Sequence, residues 1–269
     1  MIAARHLAIG HSRATLLEQV SFTLPAGECW AVVGRNGSGK TTLLATLAGL
    51  LPSHAGEIHL LSRPLRDWSR SAVARHLGFL PQYQPTVFPY TVREFVDLGR
   101  MPWRRRLSAG LAIPDNAIET SIATLGLGDL RARPVNALSG GEAQRVCVAQ
   151  LLAQSTDVLL LDEPLSHLDL LHQVTVMELL RSLAYRGHAV AIAIHDLLLA
   201  WRFCDRLLVL GPAPAPHGAN RARLIAARDH VALADALSWA FEVDFQVDAN
   251  GPRPAVPISE RYERNQGSV

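Results

Sequence analysis

No run in this sequence approaches the ~20 apolar residues that a bilayer-crossing helix needs, so any membrane work falls to a partner. No secretory leader is expected either, because residues 1–7 mix apolar and basic side chains without a long apolar core. Neither sign of charge dominates: 26 Lys+Arg stand against 24 Asp+Glu, a formal net charge of +2. That balance argues against a nucleic-acid partner, which calls for a concentrated basic face. Cysteine is scarce. Cys29, Cys147 and Cys204 are far apart, odd in number and without metal-ligand spacing, which reads as reduced, buried thiols in a cytoplasmic protein. There is no internal repeat and no sustained heptad pattern, which excludes long coiled coils.

What is present is a core-forming composition. The 269 residues are 49% apolar and 19% charged, enough for one large α/β domain or two small ones. Short strands are expected at 2–9 and 19–24, with Ser12 and Arg13 in the turn between, then at 28–33, 57–61 and 77–80. A helix is expected at 41–50. From Pro81 the pattern becomes irregular, then helical at 91–98, 115–126 and 140–154, so that about 83–155 reads as a mostly helical insertion. Residues 158–161 are a continuous apolar run of the kind buried on both faces in a parallel sheet. Residues 170–185 are amphipathic and stop at Gly187. Strands follow at 189–194 and 207–210. Strands alternating with helices argue for an α/β fold, a parallel sheet covered on both faces. Residues 212–223 read as a loop, followed by a helix near 230–239, two short strands up to Pro257 and a polar tail from Ser259.

Gly34-Arg35-Asn36-Gly37-Ser38-Gly39-Lys40-Thr41 fits G-x-x-x-x-G-K-[ST], between an apolar strand and a helical pattern. Glycines let backbone N–H groups wrap a phosphate, and the following helix offers its positive end to the same anion. Lys40 would reach the β- and γ-phosphates of ATP, and the Thr41 hydroxyl would face Mg²⁺. Asp162 and Glu163 end the apolar run at 158–161, where open α/β sheets bind ligands. Asp162 would hold Mg²⁺ directly or through water, and Glu163 would orient or deprotonate an attacking water. His195 also ends a strand; a structural histidine and a contact to the γ-phosphate or water are both open on spacing alone.

Leu138-Ser139-Gly140-Gly141-Glu142-Ala143-Gln144-Arg145 resembles the signature motif of ATP-binding cassette proteins. The order of glycine loop, Gln82, signature, Asp162-Glu163, Ser166-His167-Leu168-Asp169 and His195 resembles that family over about residues 2–211. The resemblance implies a P-loop NTPase (RecA-like) core with an antiparallel β subdomain and an inserted helical subdomain. It divides the chain into a nucleotide-binding core with its β subdomain at 1–82 and 156–211, a helical signature subdomain at 83–155 and a C-terminal extension at 212–269. It implies ATP hydrolysis with Mg²⁺ in a head-to-tail homodimer, each ATP held by residues 34–42 of one subunit, Thr42 included, and by Ser139, Gly140, Gly141 and Glu142 of the other. The start of the signature helix is, on its own terms, a second anion site or an ordinary Ser-capped helix start. Gln82 then resembles the glutamine that contacts Mg²⁺ and water, Asp169 the residue linking the two sites, and His195 the switch histidine. One departure stands out. Where the family often places a Tyr to stack on adenine, this chain has His11, readable as an adenine platform or a plain turn residue.

The segments Phe79-Leu80-Pro81-Gln82 and Thr91-Val92-Arg93-Glu94-Phe95-Val96-Asp97-Leu98-Gly99-Arg100-Met101-Pro102-Trp103 resemble ATPases of bacterial importers for iron–siderophores, heme and vitamin B12, as does the run at 233–257. That branch implies a subunit peripheral to the cytoplasmic face of the inner membrane. It would work with a separate permease, docked near residues 83–105, and indirectly with a substrate-binding protein. Arg104-Arg105-Arg106 is a permease or lipid contact or a solvated basic turn. Alternatives are an ATPase of another importer or exporter branch and a cassette ATPase without a permease.

Overall fold

The computed structural model describes residues 1–11, 14–82, 89–104, 116–213 and 218–255, with His11 through its backbone alone. Its strands are β1 (Ile2–His11), β2 (Ala14–Leu24), β3 (Cys29–Gly34), β4 (Ala55–Leu60), β5 (Arg63–Pro64), β6 (Leu77–Leu80), β7 (Val158–Asp162), β8 (Ala189–Ala193), β9 (Arg206–Gly211), β10 (Arg221–Ala226), β11 (Phe245–Asp248) and β12 (Gly251–Pro254). Its helices are α1 (Lys40–Leu47), α2 (Arg70–His76), α3 (Val92–Leu98), α4 (Met101–Arg104), α5 (Ala117–Thr124), α6 (Gly140–Ala153), α7 (Leu170–Tyr185), α8 (Leu197–Phe203) and α9 (His230–Phe241).

The apolar run that forms β3 is buried along its whole length. Successive strand residues point to opposite faces. Cys29, Ala31 and Val33 therefore enter one core, while Trp30 and Val32 enter the other. β7 and β8 divide the same way, Leu159, Leu161, Val190 and Ile192 against Val158, Leu160, Ala189 and Ala191. This double burial explains why these strands read as continuous apolar runs. The sheet order is β10-β9-β3-β8-β7-β6, parallel except for β10, which closes the edge antiparallel to β9. Helices α3 and α5 to α9 fill the first core. The second lies between the sheet, α1 and an antiparallel sheet ordered β2-β1-β4-β5. The fold is therefore the expected mixed α/β one. Within β1 the buried parity shifts from Ile2 and Ala4 to Leu7 and Ile9, across a register break where His6 has φ 48°.

Two helices start with reciprocal caps. Thr91 and Glu94 cap α3, and Ser139 and Glu142 cap α6. The far end of α6 is closed from outside. Arg100, 7% exposed, donates from Nη1 to the Ala153 carbonyl at 2.7 Å and to Ser155 Oγ at 3.1 Å. Trp103 Nε1 donates to the Gln154 carbonyl at 2.7 Å. A cation and a donor at a helix C-terminus satisfy carbonyls that have no partner inside the helix. Gly99 lets the two helices meet, since a Cβ there would lie 2.2 Å from the Gln150 carbonyl oxygen.

Several elements differ from the sequence-based expectation. β2 begins at Ala14 rather than at 19, because Leu17 pairs with Ile9 and packs into the core. Helix α2, capped by Ser69, was not anticipated, since none of its residues is buried and it carries no strong apolar stripe. Helix α8 was also not anticipated: Leu-Leu-Leu-Ala-Trp-Arg-Phe is apolar nearly all round, and Asp196 caps it through Leu198 and Leu199 N–H. β10 occupies 221–226, overlapping the segment read as loop. Its strand character comes from six paired positions with β9, not from its own composition. All three cysteines are free and buried, and burial pushes the Cys147 thiol up to about 11. Among the described residues no helix is long and apolar enough to cross a membrane.

Gly99→Ala is expected to destabilise the fold by about 1–3 kcal/mol through the clash with the α6 backbone. Urea unfolding at matched conditions measures it, and an unchanged midpoint would refute the tight α3–α6 approach.

Candidate functional site

The loop at the end of β3 folds around its own lysine. Ser38 N–H donates to the Arg35 carbonyl at 3.1 Å. Lys40 Nζ donates to the Gly34 carbonyl at 2.9 Å and to the Arg35 carbonyl at 3.2 Å. Gly39 has φ 103°, a left-handed conformation that an L side chain rarely adopts, and it opens α1. Lys40 is only 6% exposed; burial lowers its pKa, and the nearby Glu163 and Asp162 charges oppose that shift. Ser38 Oγ is buried and has no hydrogen-bond partner.

Asp162 ends β7 fully buried, and neither carboxylate oxygen has a hydrogen-bond partner. Desolvation raises its carboxyl pKa; the neighbouring Thr41 hydroxyl lowers it, Glu163 raises it further, and Lys40 and His195 oppose. Leaving such a group unpaired is costly, so its donor set has room for a cation that the protein side chains do not supply. Oxygen ligands from a carboxylate and a hydroxyl suit Mg²⁺.

Glu163 follows with φ 51°, a strained conformation for a residue with a Cβ. Its backbone N–H donates to the Ala193 carbonyl at 3.0 Å, tying β7 to the end of β8. Three side chains converge on its carboxylate. Gln82 Nε2 donates to Oε2 at 2.9 Å, His195 Nε2 lies 2.5 Å from Oε1, and Ser166 Oγ stands 3.5 Å from Oε2. Gln82 and His195, 81 and 32 positions from Glu163 in sequence, meet it because β6, β7 and β8 are adjacent.

An open cleft of ≈ 640 Å³ is lined by Asn36 to Thr42, Gln82, Glu163, His195 and Leu16. Leu16 is a lining residue that the sequence reading did not include. Nothing in its local sequence marks it; it reaches the cleft because β2 starts five residues earlier than expected. The side chain of His11 lies outside the described residues, as do Arg105 and Arg106. Arg104 pairs with Asp97.

Ser139, Gly140, Gly141, Glu142 and Asp169 do not line this cleft. Ser139 caps α6: its hydroxyl accepts from Glu142 N–H at 3.3 Å, and its own N–H donates to Glu142 Oε2 at 2.8 Å. These bonds hold the Glu142 carboxyl below the usual range. Asp169 caps α7 by accepting from His172 N–H at 2.9 Å, which lowers its carboxyl pKa too. Gln144 Nε2 donates to the Pro164 carbonyl at 3.1 Å, joining the signature helix to the turn after Glu163. The segment from Ser139 to Glu142 and Asp169 thus form helix caps away from the cleft that residues 36–42 line.

Comparison with known proteins gives one consistent result. A family model described as "ABC transporter" matches residues 17–166. The chain is 42% identical over 215 residues to a Hemin import ATP-binding protein HmuV of Pseudomonas fluorescens (strain Pf0-1), covering 78% of this chain and 83% of that protein. It is 38% identical over 210 residues to the Achromobactin transport ATP-binding protein CbrD of Dickeya dadantii (strain 3937), covering 78% of each. Among solved structures it is similar to the dimeric structure of MJ0796, a bacterial ABC transporter cassette, with a TM-score of 0.66 and 26% identity over 77% of this chain and 93% of that one.

Lys40→Ala is expected to weaken ATP binding by about 2–5 kcal/mol, the cost of removing a buried, hydrogen-bonded charge from an anion site. Isothermal titration calorimetry measures it; a wild-type dissociation constant would remove Lys40 from the cradle.

Proposed function

This chain belongs to the ABC transporter family, and from that premise we propose that it is the ATP-hydrolysing subunit of an importer for heme or an iron–siderophore. The observation that carries the enzymatic part is the buried, unpartnered Asp162 carboxylate in reach of Lys40, Thr41 and Glu163. The names of its relatives, hemin import and achromobactin transport ATP-binding proteins, support the class of cargo.

In this reading the backbone N–H groups of residues 34–42 and the Lys40 ammonium bind the phosphates, and Leu16 forms an apolar wall beside them. Thr41, Asp162 and Gln82 hold Mg²⁺, which supplies neutralisation of phosphate charge when bound. Glu163 orients the water for in-line attack and accepts its proton, while His195 and Gln82 fix the carboxylate at the distances given above. His11 is the candidate adenine platform. The second anion surface, Ser139 to Glu142 with Asp169, completes the site of a second copy of this chain, which favours a head-to-tail homodimer. A groove of mixed polarity is lined by Phe79, Leu98, Met101, Pro102, Cys147 and Leu151 together with Gln150 and Gln154. It suits a helix of a membrane permease, which would hold this subunit peripherally at the cytoplasmic face. A substrate-binding protein would act on the permease from the other side. Residues 1–82 with 156–211, 83–155 and 212–269 serve as core, helical subdomain and extension.

Glu163→Gln is expected to lower kcat by about 10²–10⁴-fold while ATP affinity is kept, and to accumulate an ATP-dependent dimer in size-exclusion chromatography. Hydrolysis at the wild-type rate would sink the assignment. For cargo, uptake of labelled heme, siderophore and vitamin B12 is compared in a strain lacking this gene. Loss of heme or siderophore uptake supports the reading; loss of none of the three overturns import of this class.

A further inference from the structure

The chain beyond β9 reaches back to the phosphate loop at two separate points. The inner turn of that loop is closed by Ser38 N–H on the Arg35 carbonyl, the same carbonyl that receives Lys40 Nζ. The position of this turn therefore sets the aim of the ammonium. At one corner, the Arg35 guanidinium pairs with the carboxylate of Glu242, the residue that ends α9. At the other, Asn220 Nδ2 donates to the Ser38 carbonyl at 3.3 Å.

Both arms are anchored. Asn220 is stitched alongside β2: its N–H donates to the Leu16 carbonyl at 2.8 Å, and its carbonyl accepts from Glu18 N–H at 3.2 Å. β10, which follows it, pairs with β9 from Arg221 to Ala226. Helix α9 is fixed by Leu233, Ala236, Leu237 and Ala240, all fully buried. The Arg223 guanidinium sits 4.4 Å over the Trp239 ring and joins β10 to α9.

We propose that Asn220 and Glu242 are positioning residues of the nucleotide site, gripping the two corners of the 35–38 turn so that it is preset for the phosphates of ATP. They act through Ser38 and Arg35, not on the nucleotide. The proposal rests on the reading of residues 34–41 as the ATP cradle. The two arms differ in physical kind. Arg35 and Glu242 are more than half exposed, so their attraction is screened by salt. The Asn220 bond is neutral and half-buried, so salt leaves it intact.

The test titrates ATP into the full chain carrying Asn220→Ala, Glu242→Gln, Arg35→Gln or the Arg35→Gln/Glu242→Gln pair. Lys40→Ala is the control. Asn220→Ala is expected to raise the dissociation constant about 3- to 10-fold at any salt concentration. Glu242→Gln is expected to raise it about 2- to 5-fold at low salt, and the ratio to wild type should fall toward one at high salt. In steady state the loss falls on KM and not on kcat. The double variant should bind no worse than Arg35→Gln alone, because Glu242 works through Arg35. Wild-type affinity in both Asn220→Ala and Glu242→Gln, with Lys40→Ala losing ATP, overturns the positioning role. So does a loss confined to kcat or accompanied by a lower melting temperature. If Asn220→Ala does not fold, Glu242→Gln at its exposed site decides the matter through its salt dependence. Should Lys40→Ala also bind normally, the cradle reading itself fails, and the positioning role with it.

Discussion

The Lys40 ammonium, bonded to two carbonyls of its own loop, is the contact on which the rest of the site depends. It closes residues 34–40 into a ring and keeps a positive charge in a place only 6% exposed to water. Such a charge is tolerable because Asp162 and Glu163 offset part of its desolvation. The buried sheet makes that balance possible. β3 carries the loop, β7 the carboxylates and β8 the turn to His195, and the order β3-β8-β7 in the sheet sets them side by side. A site of this sort stores unfavourable terms: an orphaned carboxylate, an orphaned serine hydroxyl and a strained glutamate. They persist because the surrounding core is packed from both faces.

Much of this was legible in the sequence wherever chemistry constrains residue type at fixed spacing. The glycine loop needs glycine at 39 for its backbone angle and lysine at 40 for charge, so both stand out without a structure. The buried strands were legible because their two faces both meet apolar layers. What stayed hidden depends on pairing between distant segments. Leu16 lines the cleft through the register of β2 with β1, and no local pattern reports register. β10 exists because β9 offers it an edge, and its own sequence, Arg-Ala-Arg-Leu-Ile-Ala, alternates only weakly. Helix α8 lacks a polar face, so amphipathic spacing could not reveal it. The Asn220 and Glu242 contacts join residues 182 and 207 positions apart. No reading of neighbours along the chain reaches them.

The same contrast separates the glycine loop from the start of α6. Residues 34–42 follow directly on the buried strand β3, with Ser38, Lys40 and Thr42 buried, and their contacts are made within one chain. Ser139 and Glu142 instead satisfy each other at an exposed helix start. That arrangement is a complete hydrogen-bonded cap in its own right. A ligand presented by another molecule would have to compete with it or add to it. Loosening that cap costs on the order of 1 kcal/mol.

The capped far end of α6 has a mechanical consequence. Arg100 and Trp103 fasten its last carbonyls to the wall that also carries Met101 and Pro102, and the opposite tip begins at Gly140. Fourteen residues make a rod roughly 20 Å long. With its base clamped, a tilt of about five degrees at the wall would sweep the tip by nearly 2 Å, several times the roughly 0.5 Å range of hydrogen-bond distances.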